Sequence, residues 1–225
     1  SYDEEQDLYS ILIYGIDENG STISVNITDY EPYFYVKGPA EWDDLSYNNY
    51  KKKVDDLNIT MINDKYTAVW KDKQYQKNII SKQFKDHFNG LSIVNKKEFW
   101  GFTNDRLFNY IKVSVKSLGL FNSLKYYFLS RKKEGFKLYE SNIDPFLKYI
   151  HEFNIKPCGW VSISDYLISD NETRCDYNFS INYKNINSLD INKIAPLMIA
   201  SFDIECTSSH EDFPLAKKDY KKVAQ

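Results

Sequence analysis

The chain has 225 residues, of which 42% are hydrophobic and 16% aromatic, and its 29 basic and 32 acidic side chains give a formal net charge of −3. A chain of this length can bury one large core or two smaller ones, and its apolar content excludes a disordered tail. The longest apolar run falls far short of the roughly 20 residues of a membrane-spanning helix, so we expect no membrane partner. Three widely spaced cysteines argue against a disulfide framework and a zinc site, and they favour a reducing, intracellular compartment.

The first predicted elements are strands. Residues 8–16 and 21–27 alternate or run apolar on either side of Asp17-Glu-Asn-Gly20, which predicts a hairpin whose Asn-Gly pair supplies the turn. Residues 33–36, which follow Pro32, are aromatic and β-branched and predict the next strand.

The middle of the chain predicts a helix, two strands, a second helix and a last strand. The predicted helices cover residues 76–88, stopped by Asn89-Gly90, and 121–129; the predicted strands cover 91–103, 110–117 and 136–139. Together with the strand at 33–36, this is the split βαβ order of ferredoxin-like and RNA-recognition folds. We therefore expect an α+β fold with mixed β-sheets and a βαββαβ core at about residues 31–140.

Beyond this module the sequence predicts shorter elements. A helix is expected over 144–153 with Pro145 at its start, then a strand over 158–163 and a polar, extended stretch over 175–186. A near-continuous apolar strand is expected over 197–202.

Two features of the module bear on nucleic-acid binding. Phe99, Trp100 and Phe102 fall on the predicted middle strands, where they could stack on bases, although packing inside the sheet is the more common role of such residues. Residues 112–148 are net positive and could attract a phosphate backbone, or they could form an ordinary solvated face. The candidate phosphate-binding residues are Lys112, Lys116, Lys125, Arg131, Lys132 and Lys133.

The predicted strand over 197–202 runs into a pair of carboxylates. Because side chains alternate along a strand, Asp203 and Glu205 would lie on one face, with Ile204 on the other. Two ionised carboxylates at close range repel each other unless cations compensate, and hard oxygen ligands favour Mg²⁺ or Mn²⁺. Such a pair is a starting point for two-metal phosphodiester hydrolysis, although the bare tripeptide is a weak signal.

The residues around this pair are more specific. Phe202-Asp-Ile-Glu-Cys206, followed by Phe213-Pro214, resembles the first exonuclease motif of family-B DNA polymerases, the replicative type with 3′ to 5′ proofreading. Upstream segments look like landmarks of the N-terminal region of delta-type and large-DNA-virus polymerases, in the family's order. These segments are Glu31-Pro-Tyr-Phe-Tyr-Val36, Phe99-Trp-Gly-Phe102, Tyr139-Glu-Ser-Asn142, Cys158-Gly-Trp160 and Ala195-Pro-Leu197.

The resemblance implies an incomplete exonuclease site in these 225 residues. The family's later motifs, Asn-Xaa-Xaa-Xaa-Phe-Asp and Tyr-Xaa-Xaa-Xaa-Asp, do not occur between Asp203 and Gln225. We therefore expect an N-terminal fragment of a longer polymerase, with an N-terminal domain over 1–196 and the first strand of an RNase H-like exonuclease domain within 197–225. Asp203 and Glu205 would be metal ligands in the parent enzyme, and the fragment alone would be inactive.

Two functions follow as hypotheses. In the first, the chain borders the single-stranded template path of a replicative polymerase, whose partners are template and primer DNA, a processivity factor and other replication proteins. The site of action would be a host nucleus or a cytoplasmic viral factory. In the second, the chain is a stand-alone, non-catalytic module that binds single-stranded nucleic acid.

Overall fold

The structure is a computed structural model that describes residues 8–68, 87–98, 101–169, 173–196 and 199–201. Its strands are β1 (Ile11–Ile16), β2 (Thr22–Thr28), β3 (Tyr33–Lys37), β4 (Phe88–Lys97), β5 (Leu107–Val115), β6 (Lys137–Tyr139), β7 (Val161–Ile163), β8 (Leu167–Ile168), β9 (Tyr177–Asn182) and β10 (Ile186–Ser188). Its α-helices are α1 (Tyr47–Ala68), α2 (Leu118–Ser130) and α3 (Pro145–Glu152). Within the described ranges, no helix has both the length and the apolar character needed to cross a membrane. The fold is thus a mixed α+β arrangement with several sheets.

The predicted N-terminal hairpin is confirmed. β1 and β2 pair antiparallel, and the Asp17 carboxylate accepts hydrogen bonds from the backbone N–H groups of Asn19 (2.9 Å) and Ser21 (2.7 Å). Gly20 has a φ of +91°, a conformation that costs a glycine little. Local turn chemistry therefore closes this hairpin.

A four-stranded sheet forms the first module, with the strand order β4-β5-β3-β6 and antiparallel pairing throughout. Helices α1 and α2 pack on one of its faces. The core that they share with the sheet is apolar and closely packed; its fully buried members include Phe34, Val36, Tyr50, Met61, Ile111, Val113, Leu124 and Phe128. The Ser117 hydroxyl caps α2 by accepting a hydrogen bond from the N–H of Leu120 at 3.3 Å.

A second module contains the sheet β1-β2-β9-β8, in which β2 and β9 run parallel, and the two-stranded sheet β10-β7. The helix α3 starts as the sequence predicts: the Asp144 side chain accepts a hydrogen bond from the N–H of Phe146 (2.8 Å), and Pro145 occupies the first turn. Tyr149 of α3 is buried beside Ile27 of β2 and Ile181 of β9. The helix α3 and the sheet β1-β2-β9-β8 therefore supply most of the second core, to which Ile186 of β10 also belongs.

The predicted boundary between the first helix and the following strand is wrong. Phe88 begins β4 instead of ending a helix, and the pairing register shifts between Phe88 and Leu91. Gly90 has a φ of +94°, so Asn89-Gly90 forms an irregularity within the strand and not a helix stop. The remainder of that predicted helix, residues 76–86, lies outside the described residues.

The strand predicted over 91–103 also ends early, at Lys97. Gly101, Asn104 and Asp105 all have positive φ values and turn the chain back towards β5. Phe102 lies in this turn and is fully exposed, so it does not pack inside the sheet. Phe99 and Trp100 lie outside the described residues.

The C-terminal strand expected over 197–202 is not seen at residues 199–201, which are exposed and irregular. Residues 197, 198 and 202 lie outside the described ranges, so the prediction is not tested there.

Candidate nucleic-acid interface

The face of the four-stranded sheet opposite α1 and α2 is rich in aromatic side chains. Tyr33 and Tyr35 of β3 alternate with the core residues Phe34 and Val36, and the same alternation holds along β5. Tyr35 packs with Phe108 and Tyr110 in a separate cluster, against which Tyr33, Val94 and Tyr139 also pack. We call these six residues the aromatic face. It is formed by residues of β3, β4, β5 and β6 and does not include Phe102, which lies in the turn before β5.

Lysine side chains cover the aromatic face. The Nζ atom of Lys96 lies 4.1 Å from the centroid of the Tyr35 ring, and the Nζ atom of Lys112 lies 3.9 Å from that of Tyr33. Both distances fall in the range of cation–π attraction. Because Tyr35 is buried under Lys96, a base could stack on its ring only if this lysine moved away. The buried Phe108 ring is likewise covered, by Lys37 and Arg106.

One end of the aromatic face is closed by a buried ion cluster. The Nζ atom of Lys37 lies 3.1 Å from a Glu98 carboxylate oxygen and 3.2 Å from one of Asp43, and it also lies 4.1 Å from the centroid of the Phe108 ring. Burial lowers the pKa of Lys37, but its hydrogen bonds to Glu98 and Asp43 outweigh burial and raise the pKa above its ordinary value. This lysine therefore stays charged and is committed to internal partners.

The other end is closed by α3, which links the two modules. The Nζ atom of Lys148 lies 2.6 Å from a Glu140 carboxylate oxygen, donates a hydrogen bond to the carbonyl of Tyr33 (3.1 Å), and lies 3.7 Å from the centroid of that tyrosine ring. One turn later, Glu152 accepts hydrogen bonds from the hydroxyls of Tyr30 and Tyr33, both at 3.3 Å. Burial lowers the pKa of Lys148, and burial together with the Glu152 charge raises the pKa of Tyr30. Helix α3 is therefore held to the first module by a lysine and a glutamate.

The candidate phosphate-binding residues do not form a continuous strip. Lys112 belongs to the cover of the aromatic face. The guanidinium of Arg131 binds Glu134 at 2.9 Å, contacts the Tyr127 hydroxyl and lies over the Phe136 ring. Lys116 and Lys125 are half-buried, whereas Lys132 and Lys133 are exposed in a short 3-10 turn (Lys132–Glu134) after α2. Of the six candidates, Lys132 and Lys133 are thus the most available to a ligand.

The predicted metal ligands Asp203 and Glu205 lie outside the described residues. Within the part of the chain that the structure describes, no group of three or more His, Cys, Asp or Glu side chains could hold a metal ion. Cys158 is exposed and Cys175 is half-buried, and both are free thiols.

Comparison with known proteins gives a consistent result. Residues 136–225 match the family described as DNA polymerase family B, exonuclease domain. The chain is 38% identical to a DNA polymerase of Pyramimonas orientalis virus over 99% of its own length and 17% of that protein, and 32% identical to a DNA polymerase of Acanthamoeba polyphaga mimivirus over 99% and 13%. It is 26% identical to the DNA polymerase delta catalytic subunit of Plasmodium falciparum, over 93% of this chain and 19% of that subunit.

A solved structure shares the fold. The family B DNA polymerase of the hyperthermophilic archaeon Pyrobaculum calidifontis superposes with a TM-score of 0.52 at 14% identity, over 88% of this chain and 20% of that one. The chain therefore spans about a fifth or less of the length of these proteins.

Proposed function

Because this chain belongs to the family-B DNA polymerases, we propose that it is the N-terminal part of a replicative DNA-directed DNA polymerase with 3′ to 5′ proofreading. The observation that carries the proposal is the 38% identity to a viral DNA polymerase over 99% of this chain. The match of residues 136–225 to the exonuclease domain supports the proofreading activity. The stand-alone binding module is not favoured, because the similarity to polymerases extends over almost the whole chain.

The proposed exonuclease ligands are Asp203 and Glu205, which lie inside the matched range. An exonuclease domain of this family implies the use of divalent metal ions, and a pair of carboxylates supplies the hard oxygen donors that suit Mg²⁺ or Mn²⁺. Metal ions in such a site activate water and neutralise charge on the oxygens of the scissile phosphate. Two carboxylates are too few for a two-metal site, so the remaining ligands would come from later parts of the parent.

The proposed DNA contact is electrostatic. The aromatic face is covered by Lys96, Lys112 and Lys148, so base stacking there would cost three cation–π contacts. The exposed Lys132 and Lys133 require no such rearrangement and can approach the backbone of a template strand. Lys112, Lys116, Lys125 and Arg131 would then contribute by charge more than by contact. The partners of the parent would include template and primer DNA and a processivity factor.

We also propose the finer fold assignment and the domain boundary. The order β4-β5-β3-β6, with α1 between β3 and β4 and α2 between β5 and β6, supports a ferredoxin-like core. We place the start of the RNase H-like exonuclease domain within 197–225, although the family match begins earlier, at Phe136. With viral polymerases among the relatives, we place the parent in a host nucleus or a viral factory.

The test is to sequence the gene beyond the codon for Gln225, express the longer parent protein and measure its polymerase and exonuclease activities. We expect DNA synthesis together with metal-dependent 3′ to 5′ digestion, and Asp203→Ala should abolish digestion while sparing synthesis, since the two reactions use separate sites. The 225-residue chain should digest no DNA with Mg²⁺ or Mn²⁺. Digestion by the short chain that is lost in Asp203→Ala, or loss of both activities in the parent variant, would contradict the assignment.

A further inference from the structure

The sequence contains two Asn-Gly pairs, and the fold exposes both asparagines to solvent. Asn19-Gly20 lies in the turn between β1 and β2, and Asn89-Gly90 lies in the irregularity near the start of β4. Asparagine is a chemically labile residue. It is most labile before glycine, because glycine has no side chain to shield its backbone nitrogen. The two pairs therefore offer the same chemistry in two different structural settings.

The chemistry is deamidation, which needs no reactant besides water. The backbone nitrogen of the glycine attacks the Cγ atom of the asparagine and forms a new C–N bond. The bond from Cγ to the side-chain nitrogen then breaks, and this nitrogen takes up the glycine N–H proton and leaves as ammonia. Water opens the resulting succinimide ring at either carbonyl and gives aspartate or isoaspartate. The reaction therefore requires a side-chain amide that is free to turn and a glycine nitrogen that is free to attack.

The turn between β1 and β2 leaves the side chain of Asn19 free. Its carboxamide has no hydrogen-bond partner among the described residues, although its backbone N–H binds the Asp17 carboxylate at 2.9 Å. The N–H of Gly20, whose nitrogen is the attacking atom, is held only by the Asp17 carbonyl at 3.2 Å, at the long end of the range for such bonds. Because Asn19 and Gly20 are both exposed, a local change in the turn brings the two groups together in the presence of water.

The side chain of Asn89, by contrast, is held in place. Its amide N–H donates a hydrogen bond to the carboxylate of Glu31, which lies just before β3. A hydrogen bond to an ionised acceptor is stronger than one between neutral groups, and it must break before the amide can turn. Deamidation would also replace the donor by a second carboxylate beside Glu31, and the two like charges would repel each other. Glu31 therefore opposes both the approach to the reaction and its product.

We propose that Asn19 is a site of spontaneous deamidation in this protein, and that Glu31 protects Asn89 from the same reaction. The inference does not depend on the proposed function, since it concerns the chemistry of the folded chain alone. The product adds a carboxylate to a turn that already contains Asp17 and Glu18. Isoaspartate also inserts a methylene into the backbone between the two N–H groups that bind Asp17. Formation of isoaspartate should therefore loosen the hairpin.

The experiment incubates the 225-residue chain in neutral to mildly alkaline buffer and follows both pairs by peptide mass spectrometry. The readout is the mass change that accompanies replacement of NH2 by OH in the peptides that contain Asn19 or Asn89. We expect Asn19 to react roughly tenfold faster than Asn89 in the folded chain, because the bond to Glu31 must break first. The matched control is the same chain unfolded in urea, where both pairs should react at similar rates. Absence of product at Asn19 in the folded chain, or a rate ratio that is the same with and without urea, would overturn the inference.

Two variants assign the rate difference to named side chains. Glu31→Ala removes the acceptor and should raise the rate at Asn89 roughly tenfold, while the rate at Asn19 stays the same. Asn19→Ser keeps a residue type that is common in turns but has no amide, so it should remove the product at this turn and leave the rate at Asn89 unchanged. A melting curve of each variant verifies that it is folded. An unchanged rate at Asn89 in folded Glu31→Ala would overturn the protecting role, and so would an equal increase at both pairs, since it would reflect loosening of the whole chain.

Discussion

The two sheets of this protein differ in how completely their faces are covered. Helices α1 and α2 bury one face of the four-stranded sheet, and lysines together with α3 of the second module cover its aromatic face. The sheet β1-β2-β9-β8 has a buried end beside Ile181 and an exposed end at Tyr177. The described part of the chain therefore covers both faces of the first sheet and leaves one end of the second sheet exposed.

The largest expected effect lies in the helix-covered core. Phe128 is fully buried and contacts the rings of Phe34 and Phe136, at centroid distances of 6.3 and 5.8 Å. Phe128→Ala removes a large buried ring and leaves a cavity, so we expect the free energy of unfolding to fall by about 3–5 kcal/mol. Denaturant titration followed by circular dichroism measures this loss.

The matched variant in the other sheet is Tyr177→Ala, which removes a half-exposed ring. We expect its effect on the 225-residue chain to stay within about 0.5 kcal/mol. Equal losses in the two variants would show that Tyr177 is packed as tightly in the short chain as Phe128, and the contrast between the sheets would then fail.

A smaller loss in the free energy of unfolding is expected from a substitution in α3, where this helix joins the two modules. Lys148→Met removes the cation that binds Glu140 and the Tyr33 carbonyl. The Glu140 side chain is 39% exposed and can regain water, so we expect a loss of roughly 2 kcal/mol, below that for a fully buried pair. The exposed Lys132→Met is the control and should be neutral. A double-mutant cycle with Glu140→Gln measures the coupling directly, and a coupling near zero would show that packing alone holds α3.

We expect the folded protein to lose stability in alkali, because a buried tyrosine keeps its proton longer than the same tyrosine in the unfolded chain. Burial raises the pKa of Tyr149 to about 12, from an ordinary value near 10. Between about pH 10 and 12 the unfolded chain releases this proton while the folded chain keeps it, so the free energy of unfolding should fall as the pH rises through that window.

Tyr149→Phe tests this contribution. The variant loses the 3.0 Å hydrogen bond from the Tyr149 hydroxyl to the Tyr183 carbonyl, which should cost about 1 kcal/mol at neutral pH. It should also show a shallower decline in stability above about pH 10 than the wild-type chain. The exposed Tyr14→Phe serves as the control. An unchanged alkaline slope in Tyr149→Phe would mean that other groups account for the decline.

The sequence predicts local structure better than it predicts which surfaces remain open. The Asp17 turn and the start of α3 at Pro145 follow from side-chain hydrogen bonds and fixed φ angles, which act within a few residues. Helix α1 is missed because its exposed polar residues mask a helical spacing of buried ones, namely Tyr50, Val54, Leu57 and Met61.

The candidate site is predicted less well, because it depends on contacts between distant residues. The alternation in Tyr33-Phe-Tyr-Val could have placed Tyr33 and Tyr35 on an open sheet face, but no local pattern shows that Lys148 of α3 covers it, 115 residues away in sequence. The same limit applies to Arg131, which looks available for DNA in a linear charge count and is held by Glu134 in the fold. The proposed exonuclease carboxylates Asp203 and Glu205, by contrast, are predicted from a short contiguous motif, and they lie outside the described residues.

The smallest expected effect concerns DNA binding by the exposed turn after α2. If Lys132 and Lys133 bind phosphates, Lys132→Glu with Lys133→Glu should weaken binding of the 225-residue chain to single-stranded DNA. The slope of log K against log salt concentration should also become shallower, by about 0.7 for each phosphate that is no longer neutralised. The control, Lys51→Glu with Lys52→Glu, changes two exposed lysines of α1 and should alter binding little.

A variant at Arg131 separates a role of this region in stability from a role in DNA binding. Arg131→Glu should lower the free energy of unfolding, because it places a second carboxylate beside Glu134, and it should change DNA binding less than the double lysine variant. Fluorescence anisotropy of a labelled oligonucleotide at several salt concentrations measures all three variants. Equal weakening in the α1 control would show that diffuse charge, and not this turn, attracts DNA, and tight binding that is insensitive to salt would instead indicate that bases reach the aromatic face.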